Sequence, residues 1–432
     1  MTFVVVQRPA APVVSINTYC SVGAWVEEDG QTGMAHLLEH LAFKGTPRIG
    51  SKDWGAESGL LRSLDEVFYN LRDARAAGRE AEAARLAEQL NVLQEAAQQL
   101  VVPNAFAQAL TSAGAVNLNA ATSHDNTKYY ASLPSNQLEL WFALEAERFQ
   151  APVFRELYKE KQVVAEERAS RIDNSPIGSL FYEFAQKYSR PVLGFKEDVE
   201  AMGRLEVADF FAKYYHPANL TVAIAGAAEP ERVRALAERY FGAWEAPQGA
   251  AAVAPSPSDL AREPSARPAA AAAAAGSAIL VSGSASAAAA VGAPALDYAT
   301  SSRAGPLALT GYYRPSLLVP GRSGAALEVA CDVLSGGRTA RLTRLAQAGR
   351  LLAASATPDY PSQLHSGLGD SPQRASALVQ AELDALSDRG PTPAELARVK
   401  KAARAELLGS LQSNAGLASS LATYEDRDEH AF

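Results

Sequence analysis

The segment His-Leu-Leu-Glu-His at residues 36–40 constrains this chain more than any other, because its spacing suits a metal-binding helix. Apolar residues recur around it at helical intervals, and no proline follows until Pro47. Residues four positions apart share one face of a helix, so His36 and His40 can offer two imidazoles to one metal ion. Glu39 lies on the same side, where it can take a proton from a water molecule that the metal activates. The alternative from these residues alone is a buried helix whose imidazoles bond to the backbone.

Composition limits the classes of protein and of metal site. A net charge of −8 argues against a nucleic-acid partner, which normally requires a basic face. Cys20 and Cys331 are too few for a disulfide framework or a cysteine-based zinc site, so a zinc ion would need nitrogen and oxygen ligands. The sequence contains no apolar run suited to a membrane span. Residues 1–6 resemble a strand rather than a targeting signal, so the sequence leaves the compartment open.

With 432 residues, the chain is long enough for two or three domains. We expect an α+β protein with two similar α/β sandwich domains, each an antiparallel-rich sheet flanked by helices. The first, at 1–245, carries the metal site and a helical hairpin insertion at about 53–100, with a turn at Gly78. An Ala-, Pro- and Ser-rich segment at 246–304 is predicted to be a linker. The second domain, at 305–432, is predicted to be shortened, with an incomplete sheet.

A second acidic segment offers a third metal ligand. Glu160 and Glu167 lie two helical turns apart and therefore face the same way, whereas Glu166 is rotated by about 100° from Glu167. The alternative is an exposed acidic helix face balanced by neighbouring lysines and arginines. Both interpretations stay open on these residues alone.

Several motifs together resemble the pitrilysin/insulinase family of zinc peptidases. Gly33–Thr46 is similar to the family's metal signature, and Glu160–Glu167 resembles its second zinc helix. Asn119–Thr122 resembles the edge strand that lies beside the metal in this family. Further similar segments lie at 214–219 and 337–342. The resemblance is strongest to the subfamily of the mitochondrial processing peptidase and its bacterial and plastid relatives.

The resemblance implies one Zn2+ per chain and a role for each acidic residue. His36, His40 and Glu167 would hold the ion, and Glu39 would serve as general base in peptide hydrolysis. Glu160 would not bind the ion itself but would orient His36 or His40 by a hydrogen bond. A zinc-dependent endopeptidase is therefore the expected activity.

The resemblance also implies a substrate and a partner. The backbone of the edge strand, residues Asn119, Ala120, Ala121 and Thr122, would pair with an extended peptide, so unfolded peptides or presequences are the expected substrates. Two chains of this kind, identical or different, would form a closed chamber. A chloroplast, a mitochondrion or a bacterial periplasm is the expected location.

Two rival hypotheses come from the second half of the chain. A catalytically inactive or partner-dependent subunit of a heterodimer would explain a shortened second domain. The presence of His36, Glu39, His40 and Glu167 favours an enzyme. A truncated product whose C-terminal half does not fold stably is the other possibility.

Overall fold

The structure is a computed structural model, and it divides the chain into two compact units. The first unit comprises Met1–Glu167, Pro191–Ala254 and Ser410–Phe432, and the second comprises Arg168–Arg190 and Pro255–Gly409. The residues described are 1–174, 190–247, 279–281, 295–301, 305–313, 322–351, 353–358, 362–368 and 372–426. Among these residues, no helix combines the length and the apolar character needed to cross a membrane.

The first unit is built on a five-stranded sheet with the order β1-β5-β2-β4-β3. Its strands are β1 (Thr2–Gln7), β2 (Val13–Cys20), β3 (Val116–Thr122), β4 (Thr127–Pro134) and β5 (Leu220–Gly226). The β1–β5 pair is parallel and the other pairs are antiparallel. The interior strand β5 is buried throughout, whereas β3, at one end of the sheet, is largely exposed. The predicted antiparallel-rich sheet is therefore confirmed.

Alternation of large and small side chains in β5 separates the two faces of this sheet. Val222 and Ile224 join a core that contains Trp141 and Phe142 of helix α5 (Leu138–Gln150). Between them, the small residues Ala223 and Ala225 face the alanines of helix α14 (Asn414–Asp426). The small residues on both surfaces allow α14 to approach the sheet closely.

The first unit contains eight further α-helices among its described residues. They are α1 (Met34–Leu41), α2 (Trp54–Ala76), α3 (Glu80–Leu100), α4 (Ala105–Ser112), α6 (Leu157–Arg168), α7 (Lys196–Ala201), α8 (Arg204–Tyr214) and α9 (Pro230–Phe241). Helix α6 continues into a wider π-helical turn at Ala169–Asp173.

The predicted helical hairpin is confirmed as α2 and α3, joined at Gly78, where φ is +67°. Its leucines belong to the same hydrophobic cluster as Leu37 and Leu41 of α1. Asp65 of α2 also accepts a hydrogen bond from Tyr158 of α6 at 2.9 Å. The hairpin is therefore part of the core around the site helices.

The second unit is built on another five-stranded sheet, with the order β6-β7-β8-β10-β9 and antiparallel neighbours. Its strands are β6 (Ile279–Val281), β7 (Ala295–Ser301), β8 (Gly305–Tyr313), β9 (Ala353–Pro358) and β10 (Ser362–Leu368). Its helices are α10 (Arg322–Ser335), α11 (Arg341–Gln347), α12 (Pro372–Arg389) and α13 (Pro393–Gln412), the last of which extends into the first unit. A small core of its own includes Leu334, Leu342 and Val379.

Three features of the described structure bear on the predicted domain organisation. Strands β6 and β7 lie inside 246–304, the segment predicted to be a linker. The second sheet, predicted to be incomplete, has five strands among the described residues, two of which, β9 and β10, lie within 352–370. Helix α14 belongs to the first unit rather than to the second. β6 has only three residues and β7 is mostly small and polar, so neither has a strong strand pattern. Pairing of β6 with β7 and of β7 with β8 places both in the sheet.

Candidate metal centre

Helix α1 is short and is held in place by its surroundings. Its N-cap residue is Gly33, which has a left-handed φ of +87°. The Glu27 carboxylate accepts hydrogen bonds from the backbone N–H groups of Gly33 at 2.8 Å and of Ala35 at 2.9 Å. Glu27 is 1% exposed. A negative charge at this end complements the helix dipole, so Glu27 caps α1 from outside the helix.

Helix α6 begins at a strained turn. Phe154 and Glu156 have positive φ values of +52° and +58°, which non-glycine residues rarely adopt. Between them, Arg155 is 1% exposed and pairs with the buried carboxylate of Glu57 at 2.7 Å. The Arg155 guanidinium also donates to the carbonyl of Lys44 at 2.5 Å. Arg155 therefore ties the start of α6 to the loop that follows α1.

Three side chains from these helices converge. Glu167 Oε2 lies 3.5 Å from His36 Nε2 and 3.4 Å from His40 Nε2, and the three candidate ligand atoms all lie within 4.8 Å of one another. Ligands about 2.0–2.2 Å from a tetrahedral zinc ion are separated from each other by about 3.4 Å. The donor set and its spacing therefore fit a zinc ion with a fourth position left for water or substrate.

Glu39 and the end of the edge strand lie side by side. The Thr122 hydroxyl donates a hydrogen bond of 2.5 Å to Glu39 Oε2. This contact holds the Glu39 carboxylate, on the helix that carries both histidines, against β3. Glu39, the predicted general base, and the predicted substrate strand are thus in direct contact.

Glu160 contacts one of the two histidines. Its Oε2 lies 3.4 Å from His40 Nδ1. Burial raises the pKa of Glu160, but hydrogen bonds from His40 and Lys44 lower it by more. The pKa therefore lies below its ordinary value, and the carboxylate stays ionised. A donor role for Nδ1 toward this carboxylate leaves Nε2 as the acceptor nitrogen that a metal needs.

The carboxylates also change the acidity of His40. Burial lowers the pKa of His40, but the hydrogen bond to Glu160 and the charges of Glu160, Glu167 and Glu39 raise it by more. The pKa of this imidazole therefore lies above its ordinary value. Protons and metal ions compete for the same nitrogen, so metal affinity is expected to fall as the pH falls.

Strand β3 presents the predicted substrate-binding residues at one end of the described sheet. Asn119, Ala120, Ala121 and Thr122 pair regularly with β4 on one side. The register shifts between Val116 and Asn119, next to a positive φ of +54° at Asn117. The regular part of the strand is therefore limited to the four predicted residues. The backbone N–H of Ala120 donates to the Asn119 side chain at 2.9 Å.

Sequence reasoning missed two residues that support this site, Glu27 and Lys44. Glu27 lies in an irregular segment and had no periodic relation to the histidines, so no sequence signal pointed to it. Lys44 follows His40 by four positions, and its ammonium lies 2.6 Å from Glu160 Oε1. Its spacing could have placed it on the histidine face, but α1 ends at Leu41.

Comparison with protein families gives two matches. The model described as Insulinase (Peptidase family M16) matches residues 2–57 and 86–185, which include every site residue discussed above. The model described as Peptidase M16 inactive domain matches residues 202–403. Residues 58–85, within the α2–α3 hairpin, fall outside the first match.

Curated relatives match the chain over about half its length. The zinc protease PqqE of Helicobacter pylori is 26% identical over 237 residues, which are 53% of this chain and 41% of that protein. An uncharacterized zinc protease of Rickettsia bellii is 27% identical over 248 residues, which are 56% of this chain and 47% of that protein. The matched segments thus span less than half the length of these two relatives.

Solved structures support the fold. The crystal structure of a protease from Helicobacter pylori has a TM-score of 0.68 at 22% identity and covers 98% of this chain and 87% of its own. The periplasmic protease PqqL of Escherichia coli has a TM-score of 0.58 at 19% identity and covers 98% of this chain and 41% of its own. The two family models both describe peptidase family M16, and the narrower assignment to the processing-peptidase subfamily stays a prediction.

Proposed function

Since the chain belongs to the insulinase family of peptidases, peptidase family M16, we propose that it is a zinc-dependent endopeptidase that hydrolyses extended peptides. The convergence of His36, His40 and Glu167 carries the proposal, because their ligand atoms lie within 4.8 Å of one another. Two neutral nitrogens and one carboxylate are a donor set typical of catalytic zinc.

In the proposed reaction, the three residues hold one zinc ion per chain. The ion, when bound, polarises the scissile carbonyl and makes a water molecule acidic enough to react near neutral pH. Glu39 accepts a proton from the attacking water and delivers it to the amine that leaves as the peptide C–N bond breaks. The Thr122 hydroxyl, 2.5 Å from Glu39 Oε2, keeps this carboxylate oriented between the two events.

The proposed substrate pairs with β3 as an additional strand. Backbone hydrogen bonds along Asn119–Thr122 require an extended peptide and place few demands on its sequence. Short unfolded peptides, presequences among them, meet this requirement, whereas folded proteins do not. The bond between Thr122 and Glu39 would bring the paired peptide backbone close to the base.

The first experiment measures zinc content and peptide cleavage together. We expect about one zinc per purified chain and cleavage of an unstructured fluorogenic peptide, with activity lost on addition of a chelator and restored by zinc. A peptide of the same sequence with methylated backbone nitrogens should be cleaved much more slowly, because it cannot donate to the edge strand. A chain without zinc, or activity unaffected by the chelator, would contradict the proposal.

Replacement of Glu39 separates chemistry from metal binding. Glu39→Gln removes the base but keeps the side-chain volume, so we expect hydrolysis to fall by roughly 10²–10⁴-fold while zinc content stays near that of the unmodified chain. Zinc analysis of the same preparation is the control. Near-normal turnover in this variant would exclude Glu39 as the base.

A partner-dependent or inactive subunit is the second candidate. The match of residues 202–403 to a domain described as inactive favours it, whereas all metal-site residues lie in the part matched by the Insulinase model. Activity of the isolated chain would favour the self-sufficient enzyme, alone or as a homodimer. Zinc binding without activity, followed by activity on addition of a second family member, would favour the heterodimer.

A bacterial periplasm is the location we propose. The relatives named above are bacterial, and the Escherichia coli structure is titled as a periplasmic protease. Fractionation of the source cells tests this location directly, and recovery in the cytosolic fraction alone would contradict it.

A further inference from the structure

Lys44 lies between two carboxylates of the second site helix. Its Nζ is 2.6 Å from Glu160 Oε1 and 3.2 Å from Glu156 Oε2. The Lys44 side chain is 21% exposed, and those of Glu156 and Glu160 are 11% and 8% exposed. Ion pairs at this degree of burial are screened less by solvent than pairs on the open surface. The ammonium is therefore a partly buried, ion-paired group beside the candidate metal centre.

The two oxygens of Glu160 have different partners. Oε1 contacts Lys44, and Oε2 contacts Nδ1 of His40 at 3.4 Å. With Oε1 held by the ammonium, the carboxylate cannot rotate without losing one contact. The orientation of His40, and with it the direction of the Nε2 lone pair, thus depends on Lys44 through Glu160.

The local charges also favour a cation at this position. The carboxylates of Glu156 and Glu160 both contact the Lys44 ammonium, and Glu39 and Glu167 add negative charge near His40. Without Lys44, the repulsion between Glu156 and Glu160 favours a rotation of Glu160 away from His40.

We propose that Lys44 is a positioning residue of the metal centre, which holds Glu160 against His40 and thereby aligns the imidazole for the ion. The proposal rests on the zinc-binding function proposed above. Lys44 also connects the loop after α1 to the first turn of α6, and so couples the two helices that supply the ligands.

Metal affinity tests this role directly. The zinc dissociation constant is measured by competition with a chelator of known affinity, and the visible spectrum of the Co2+-loaded chain reports the ligand geometry. For Lys44→Met we expect zinc affinity to fall by roughly 10–100-fold, and the cobalt bands to shift. Lys44→Arg, which keeps the positive charge, should recover part of the loss.

The chain offers a matched control on the same helix. Lys159 pairs with Glu156 Oε1 at 3.4 Å, but its side chain is 56% exposed. Among the described residues, it makes no ion pair with Glu160. Lys159→Met should therefore leave zinc affinity and the cobalt spectrum unchanged. An equal loss in Lys159→Met and Lys44→Met would overturn the proposal, because it would reduce Lys44 to one of several nearby charges.

A double-mutant comparison identifies the route of the effect. If Lys44 acts through Glu160, then Lys44→Met should cost little further zinc affinity in a chain that already carries Glu160→Gln. A full additional loss in that background would overturn the positioning role. Unfolding of the metal-free variants checks that each one folds, and Lys44→Gln replaces Lys44→Met in every comparison if the latter does not.

The outcomes separate this proposal from the one on which it rests. If the unmodified chain binds no zinc, both proposals fail. If it binds zinc and the folded Lys44 variant binds it equally tightly, only the role of Lys44 fails, and the proposed peptidase function stands.

Discussion

Helices α1 and α6, which supply the candidate ligands, differ in how much of each is buried and in how its ends are held. In α1, six of its eight residues are buried, and the cap from Glu27 holds its first turn. In α6, five of its twelve residues are buried, its start is a left-handed turn, and its end passes into a π-helical turn. The position of α1 follows from its own apolar residues, whereas that of α6 depends on polar contacts made by Arg155 and Glu160 with Lys44 in the loop after α1.

The difference explains how the site is assembled. Two imidazoles one turn apart are aligned by the helix itself, so their spacing survives any displacement of α1 as a whole. Glu167 reaches them only if α6 has the right position and rotation. We therefore expect loss of the α6 ligand to affect metal binding most, and loss of the cap of α1 to affect mainly stability.

The largest effect is expected at Glu167. Glu167→Gln replaces an ionised ligand by a neutral amide, so zinc affinity should fall by more than the roughly 10–100-fold expected for a residue that only supports a ligand. Equilibrium dialysis against buffered zinc measures the change. Glu166→Gln is the matched control, because Glu166 is the adjacent, exposed residue and should leave zinc binding intact. Stoichiometric, tight zinc in the Glu167 variant would exclude α6 as the source of the third ligand.

A smaller effect, on stability, is expected at the cap of α1. Glu27→Gln keeps one acceptor oxygen but removes the charge and leaves one of two buried N–H groups poorly bonded, so the free energy of unfolding should fall by about 1–2 kcal/mol. Urea unfolding of the metal-free chain measures the loss. Glu28→Gln serves as the control, since the Glu28 side chain is 68% exposed and pairs only at the surface with Lys213. An effect of Glu27→Gln on zinc affinity as large as that of Glu167→Gln would remove the contrast between the two helices.

Lys161 gives the smallest predicted effect and a pH signature for α6. Its ammonium donates to the backbone carbonyls of Glu200 at 2.6 Å and Met202 at 2.7 Å. Burial lowers the pKa of Lys161 to about 7, an effect that the nearby charges of Glu200 and Glu206 only partly offset. The ordinary pKa of a lysine is about 10.4, so above pH 7 the unfolded chain binds more protons than the folded chain. Stability from this group therefore rises as the pH rises from 7 towards 10.

The comparison of two variants isolates this contribution. Lys161→Met should remove about 1 kcal/mol of the increase in unfolding free energy between pH 7 and pH 8. Lys159→Met, an exposed lysine on the same helix, should keep the pH dependence of the unmodified chain. Urea unfolding with chelator present at each pH measures both. Identical pH dependence in all three chains would show that folding does not lower the pKa of Lys161.

Local features of this protein were determined by its sequence. The repeat of apolar residues predicted α1 and the hairpin, residues 1–6 indicated a strand, and the four-residue spacing placed His36 and His40 on one face. These features need only neighbours along the chain, because helix and strand periods repeat within a few residues.

Only the tertiary structure decided the features that join distant segments. The approach of Glu167 to the histidines, the pairing of Lys44 with Glu160, and the contact of Thr122 with Glu39 all depend on how separate elements pack. The same holds for the short strand β6 and for β7, which are placed by their pairing, and for α14, whose alanines fit the small-residue face of the first sheet. Packing and charge pairing act between residues far apart in the chain, so no local period records them.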